Sequence, residues 1–253
     1  MKVPETTPLM TGNPLDIPNG GACLLQLPPD TSSAPLARSR LANAMSQLRF
    51  PSTTIDDGMI GLGEVIANAI EHCPVQRRAD PYTPPELWLW SRTQPQRELI
   101  VSVFDTCRDA TPQIRVADLL DEHGKGLAML AAVSQGWGHH PTRSRLSPRR
   151  TPGKRVWFAL PLPDTWPDPR QTFPPARTAH WLHTLLDARS ITGIIRNDRN
   201  GVSLLSIRAD LSIWIYPDHF TVNADGSSTT RPLTDLHDLA EGVVARFEQD
   251  KTP

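Results

Sequence analysis

Three polar side chains, Glu64, Asn68 and His72, recur one helical turn apart in the segment from residue 61 to residue 73. On a helix, with about 100° per residue, they share one side and lie opposite an apolar stripe suited to packing on a sheet. A carboxylate there can act as a general base, and an amide oxygen is a ligand that Mg²⁺ accepts. A solvated helix face produces the same spacing, so this segment alone does not indicate a site. His72 is assigned to the helix end and not to catalysis.

Two further segments with chemical potential follow in order. Residues 101–105 read as an apolar strand that ends on a carboxylate, Asp105, which can accept a hydrogen from an amine at the mouth of a pocket. Residues 124–127, Gly-Lys-Gly-Leu, open an apolar helix. Glycines at a helix start leave backbone N–H groups open to phosphate oxygens, and Lys125 adds a positive charge. Each signal is weak alone, because strand-end aspartates and glycine pairs are common in turns.

The three segments, in this order, resemble the N, G1 and G2 boxes of the GHKL (Bergerat-fold) ATP-binding family. Residues 153–158, Gly-Lys-Arg-Val-Trp-Phe, extend the resemblance, which runs from about residue 20 to residue 162. It implies ATP and Mg²⁺ as cofactors, with Glu64 as the general base and Asn68 as the magnesium ligand. The nucleotide contacts it implies are Asn68, Asp105, Gly124, Lys125, Gly126 and Leu127. The chain departs from the family at Cys107, where Gly or Ser is common, and at Lys125, where related regulators often have Arg.

The branch that the chain resembles most is the anti-sigma-factor serine/threonine kinases and related actinobacterial regulators. This resemblance implies phosphorylation of a Ser or Thr on an anti-sigma-factor antagonist, with a sigma factor as a second partner, and it leaves homodimer formation open. A different class of function shares the same pocket: a nucleotide-gated binding module that transfers no phosphate. In a third interpretation the C-terminal unit, residues 176–250, carries the function and the ATP-binding fold is only a scaffold. The presence of both Glu64 and Asn68 argues against this interpretation.

Composition narrows the class of protein. A net charge of −1 indicates no general attraction to nucleic acid or anionic lipid. We interpret the basic run from Arg143 to Arg150 as a solvated loop, because no stacking aromatics interleave it. The three scattered cysteines predict reduced thiols. With no apolar run of membrane-spanning length and no signal-peptide pattern, we expect a cytoplasmic protein without membrane or nucleic-acid partners.

The elements that must position these residues follow from periodicity. Period-two and short apolar segments predict strands at 22–27, 86–91 and 98–104, and a hairpin of 136–140 with 154–160. Helical spacing predicts a helix capped by Ser32 or Ser33, a helix starting near Thr54 or Asp56, and a helix over 126–134. Helices on one face of a sheet give an α/β two-layer sandwich, which is the Bergerat ATP-binding fold that the resemblance implies.

Four regions are expected along the chain. Residues 1–20 are a flexible lead, residues 21–162 the ATP-binding domain and residues 163–175 a Pro-rich linker. Residues 176–250 form a small α+β accessory domain, with a helix around Trp181, three strands at 202–207, 211–216 and 220–223, and a closing helix after Thr234. The linker predicts that residues 20–162 fold alone.

Overall fold

The computed structural model describes residues 12–71, 73, 83–109, 126–168 and 172–250. These residues form a mixed α/β fold with two five-stranded antiparallel sheets, which confirms the α/β class expected from the sequence. None of the helices within the described ranges is both long and apolar enough to cross a bilayer.

The first sheet has the strand order β1-β2-β3-β5-β4, with every neighbouring pair antiparallel. Its strands are β1 (Ala22–Gln26), β2 (Glu86–Arg92), β3 (Glu98–Asp105), β4 (Gly136–Arg143) and β5 (Pro152–Pro161). The predicted strands are all present. The β4–β5 hairpin is longer than expected, so part of the predicted basic loop is strand. In the register Asp105, the last residue of β3, lies directly opposite Lys154 of β5.

Three helices cover one face of this sheet: α1 (Ser33–Gln47), α2 (Ser52–Glu71) and α3 (Gly126–Val133). Their apolar sides form one buried cluster with inward side chains of the strands, among them Val101, Val103 and Phe158. Two glycines of α2 allow the close approach. A methyl group at Gly58 would lie 3.0 Å from a Leu160 methyl carbon, and one at Gly61 would lie 3.1 Å from the ring of Phe158. These contacts fix the rotation of α2 about its axis.

The second sheet is a meander with the strand order β10-β9-β8-β7-β6. Its strands are β6 (Ile195–Arg199), β7 (Val202–Arg208), β8 (Leu211–Ile215), β9 (His219–Ala224) and β10 (Ser227–Pro232). The three central strands match the prediction, whereas the two edge strands do not appear in it. All five residues of β6 are exposed, so β6 lacks the apolar alternation that marks a half-buried strand.

Two helices accompany the second sheet, α4 (Pro175–Asp187) and α5 (Leu236–Gln249). Helix α5 lies between the sheets: its apolar stripe joins the core of the second sheet, and the helix also packs on β2 and β4 of the first. The first sheet is therefore covered on both faces. The sequence predicts two layers here, and the structure has a third, because α5 of the C-terminal unit packs on the other face of the sheet.

Two segments expected to be loose are packed where the structure describes them. Residues 14–19 of the expected flexible lead form a 3-10 helix (Pro14–Asn19) in which Ile17 is fully buried. In the expected linker, Trp166 is buried against Phe50, with 5.8 Å between ring centroids, and its carbonyl accepts a hydrogen bond from Arg97. Large apolar side chains explain the packing of both segments, since burying them offsets the entropy of ordering the chain.

Candidate functional site

The end of β3 carries a buried carboxylate with two donors on one oxygen. Asp105 is 2 % exposed, and its Oδ1 accepts from Lys154 Nζ at 2.7 Å and from the backbone N–H of Cys107 at 2.9 Å. Lys154 also donates to the carbonyl oxygen of Cys107 at 2.8 Å. Charge-assisted bonds of this kind fix the position of the carboxylate. The sequence segment 153–158 contains Lys154, but only the antiparallel register places the lysine opposite Asp105.

Glycine is required beside this pair. A methyl group at Gly153 would overlap the carbonyl oxygen of Asp105 and contact the ring of Phe104. The close approach of β5 to the end of β3 therefore depends on the missing side chain. Nearby, partial burial and the charge of Lys154 lower the pKa of His139.

The cysteines correct the sequence prediction. Cys73 and Cys107 form a disulfide, and of the three expected reduced thiols only Cys23 is free within the described residues. Cys73 follows the end of α2 by two residues and Cys107 follows the end of β3 by two residues. The bond therefore joins the helix of Glu64 and Asn68 to the strand of Asp105. The sequence spacing of the cysteines does not indicate this disulfide, because Cys73 and Cys107 meet only through the packing of α2 on the sheet.

Glu64 and Gly126 meet across the interface of α2 and α3. A methyl group built on Gly126 would overlap the Glu64 carboxylate, so the carboxylate lies against bare backbone at the first residue of α3. The structure thus brings together two predicted site residues that are 62 positions apart in sequence. A carboxylate at a helix N-terminus is favoured by the helix dipole.

The other predicted site residues have separate placements. Asn68 is half-buried on α2, one turn after Glu64. Leu127 is buried in the core between α2 and the sheet, so its side chain has a packing role. Gly124 and Lys125 lie outside the described residues.

The donor set can be tested against the cofactors that the resemblance implies. Mg²⁺ takes oxygen ligands, which the Asn68 amide supplies. The one cluster of metal-ligand types in the described part of the chain is Cys73, Asp105 and Cys107, and its disulfide sulfurs do not suit a hard cation. A phosphate group at the start of α3 would have to displace the Glu64 carboxylate, which occupies the space beside Gly126. Among the described residues, the Asn68 amide would offer Mg²⁺ one oxygen ligand.

The opposite face of the first sheet holds a second polar cluster, centred on Glu241 of α5. This carboxylate is 1 % exposed, and its Oε1 lies 2.7 Å from Arg145 and 2.6 Å from Arg189. The hydroxyl of Thr142 donates to its Oε2 at 3.1 Å. The predicted solvated loop is therefore wrong for Arg145, whose side chain is 2 % exposed. Arg145 pairs with Glu241 of α5, more than 90 residues further along the chain, and the local sequence around Arg145 does not indicate such a partner.

Two tryptophans line this second cluster. The guanidinium of Arg145 lies 5.0 Å from the ring centroid of Trp88 and 4.8 Å from that of Trp90, and Arg155 lies 4.7 Å from Trp90. Such distances are within the range of cation–π attraction. Burial, partly offset by Glu241, lowers the pKa of Arg155 to about 10.

Ionisable groups around Glu241 have displaced pKa values. Burial and the positive charge of Arg155 lower the pKa of His140 to about 3, and burial with Arg145 holds the pKa of His237 well below its usual range. Burial alone would raise the pKa of Glu241, but the guanidinium groups of Arg189 and Arg145 hold it well below its usual value. Both histidines are therefore neutral at pH 7 while Glu241 is ionised.

A comparison with known proteins adds no assignment: neither models of protein families nor curated proteins match this chain. The functional inference consequently rests on the sequence resemblance and on the geometry above. Sequence reasoning did not find Lys154, the cysteine pair or the Glu241 cluster. One signal was available for the last: Asp235, Asp238, Glu241 and Glu248 recur at helical spacing beside the apolar stripe of α5.

Proposed function

We propose that this chain is a cytoplasmic ATP-binding regulator with a Bergerat-type nucleotide domain that phosphorylates a Ser or Thr of an antagonist protein. By the resemblance its partners are that anti-sigma-factor antagonist and a sigma factor. The observation that supports this most is the contact between the Glu64 carboxylate and the backbone of Gly126. It unites two of the three segments that carry the resemblance, although they are far apart in sequence.

Each residue has a stated role in this proposal. Asp105, held by Lys154 and the Cys107 N–H, accepts the exocyclic amine hydrogen of adenine, where guanine would offer a carbonyl. The Asn68 amide oxygen would hold Mg²⁺, which would neutralise phosphate charge when bound. Glu64 accepts the proton of the attacking Ser or Thr hydroxyl. By the resemblance Gly124, Lys125 and Gly126 contact phosphate oxygens, for which the Glu64 carboxylate beside Gly126 would move aside.

Nucleotide choice tests the binding half of the proposal. Calorimetry with the full chain should show Mg-ATP binding, much weaker GTP binding, loss of ATP binding in Asp105→Asn and weakening in Asn68→Ala. Exposed Asp109→Asn and Asn43→Ala are matched controls that should bind like the wild type. Equal affinity for ATP and GTP would remove the role given to Asp105.

Phosphate transfer tests the catalytic half. Glu64→Gln keeps the shape of the side chain and removes its charge, so we expect near-normal ATP affinity with transfer slowed by about 10²–10⁴-fold. Labelled ATP with a co-purifying partner is the assay, and exposed Glu71→Gln, on the same helix, is the control. Transfer by Glu64→Gln at the wild-type rate would mean that another group is the base.

A nucleotide-gated binding module without phosphate transfer is the second candidate. It shares the nucleotide pocket with the kinase, and the contact of Asp105 Oδ1 with Lys154 is common to both functions. Under this alternative the wild type binds ATP but labels no partner. Labelling of a partner by the wild type rules the alternative out.

A further inference from the structure

The Cys73–Cys107 disulfide connects two elements that both carry residues of the candidate nucleotide site. Cys73 follows α2, which bears Glu64 and Asn68, and Cys107 follows β3, which bears Asp105. Both cysteines are buried, with exposures of 1 % and 5 %. A bond at this place does more than close a surface loop, since it ties the proposed metal-binding helix to the proposed adenine acceptor.

The backbone of Cys107 also determines the environment of Asp105. Its N–H donates to Asp105 Oδ1 at 2.9 Å, and its carbonyl accepts from Lys154 Nζ at 2.8 Å. Lys154 in turn lies 2.7 Å from the same Asp105 oxygen. Cys107 thus contacts both the Asp105 carboxylate and the Lys154 ammonium group. Its sulfur is bonded to Cys73, which follows the end of α2. Any movement of Cys107 changes the donors on Asp105.

We infer that thiol–disulfide exchange at Cys73 and Cys107 regulates nucleotide binding at the site formed by α2 and the end of β3, an inference that rests on the proposed function. The disulfide form is the tight-binding form, because Asp105 is already held in place relative to Asn68. A preorganised site loses less conformational entropy when a ligand binds. Reduction releases Cys107 from α2, loosens the Asp105–Lys154 arrangement and weakens binding.

The exchange balances with a dithiol as the co-reactant. A thiolate of the dithiol attacks the sulfur of Cys107, the more exposed of the two residues, and the Cys73–Cys107 bond breaks. The second thiol of the reductant then resolves the mixed disulfide. The protein gains two electrons and two protons as two thiols, and the dithiol is oxidised to its own disulfide. Disulfides that form in reducing compartments are mostly transient and redox-sensing, which agrees with such a role.

The full-length protein tests this directly. Alkylation and mass analysis should find one reactive thiol in the untreated denatured protein, Cys23, and three after dithiothreitol. Calorimetry with Mg-ATP, with excess reductant removed, should show affinity about five- to tenfold weaker after reduction. Cys107→Ser and Cys73→Ser should each bind like the reduced wild type and ignore dithiothreitol. Cys23→Ser, which removes the cysteine that is free among the described residues, should respond like the wild type.

A readout without nucleotide separates the inference from the function on which it rests. In the ligand-free protein, hydrogen exchange at residues 105–107 and at the end of α2 should quicken on reduction while the second sheet is unchanged. If ATP binds equally tightly in both redox states, the regulation is overturned and the proposed function stands. If ATP binds in neither state, the proposed function fails and this inference with it. Three reactive thiols in the untreated protein would overturn the inference alone, and circular dichroism excludes misfolding of the serine variants.

Discussion

The two faces of the first sheet are covered in chemically opposite ways. Helices α1, α2 and α3 cover one face with an apolar cluster in which strand side chains such as Val103 and Phe158 are fully packed. Helix α5 covers the other face with a cluster that combines Trp88, Trp90 and Phe104 with buried charges. One interface depends on shape and volume, and the other depends on complementary charge.

The charges of the second face are arranged in matching rows. Helix α5 presents acidic residues at helical spacing, and the first sheet and its hairpin loop present arginines. The paired residues are Asp238 with Arg92, Glu241 with Arg145, and Glu248 with Arg143. Replacing a buried ion pair by apolar residues is often neutral or stabilising, so such pairs contribute little net stability. We infer that they specify which helix docks on this face and in which position.

The charged face bears on whether the first sheet and its helices can fold without the C-terminal unit. A domain that folds alone presents a polar exterior, whereas here the back of the first sheet has two fully buried tryptophans and a buried Arg155. The C-terminal unit supplies Glu241, which pairs with Arg145 of this face and with Arg189 of its own unit. The sequence predicts an independent N-terminal domain, and the packing of α5 predicts the opposite.

The largest expected effect follows from removing the C-terminal unit. A fragment ending at residue 168 exposes the tryptophan face and leaves Arg145 and Arg155 without Glu241, so we expect it to lose cooperative unfolding. Thermal unfolding followed by tryptophan fluorescence and calorimetry tests this. A sharp two-state transition in the fragment would support the independence predicted from the linker.

The next largest effect is expected from Glu241→Gln. Removing the charge leaves the buried guanidinium groups of Arg145 and Arg189 uncompensated, which should lower the free energy of unfolding by about 3–5 kcal/mol. Urea unfolding measures the change. The exposed Glu71→Gln should change stability by less than about 0.5 kcal/mol, and an equally small effect for Glu241→Gln would show that the cluster tolerates an unbalanced charge.

The pH dependence should come from the charged face. The unfolded chain protonates His140 and His237 below about pH 6.5, whereas the folded chain keeps His140 neutral to about pH 3. Stability should therefore fall as the pH drops from 6.5 towards 4.5, by at most about 1.4 kcal/mol per pH unit for each ring. The pKa of Glu86, raised by burial, offsets part of this loss.

Variants identify the groups responsible for that slope. His140→Gln and His237→Gln should each flatten the dependence of the unfolding free energy on pH between 4.5 and 6.5. The exposed His180→Gln should leave it unchanged. An unaltered slope in both the His140 and the His237 variant would assign the pH dependence to other groups.

The smallest effect is expected on the apolar face. Ile66→Val removes one fully buried methylene group and should cost about 1 kcal/mol. No charge lies in that cluster, so the cost should be the same at pH 5 and pH 7, in contrast to the histidine variants. A cost that changes with pH would mean that the two faces are energetically coupled across the sheet.

Sequence reasoning succeeded where one period governs an element. The helices α1, α2 and α3, the strands of the first sheet and the stripe of α5 follow from local spacing, because each buries one side against a neighbour. The candidate site was partly accessible in the same way: Glu64 and Asn68 are one turn apart on any helix. Edge strand β6 was missed, since an element exposed along its whole length leaves no pattern.

What the sequence by itself determined is the set of elements and the chemical groups that they carry. Which groups meet was decided only by the tertiary structure. The antiparallel register opposes Lys154 to Asp105, the packing of α2 on the sheet joins Cys73 to Cys107, and the docking of α5 buries Glu241 among arginines. Periodicity reports the environment of one element, whereas these contacts connect residues from 34 to 96 positions apart. The partner of each of these residues depends on how the elements pack, and the local sequence does not encode contacts between residues so far apart in the chain.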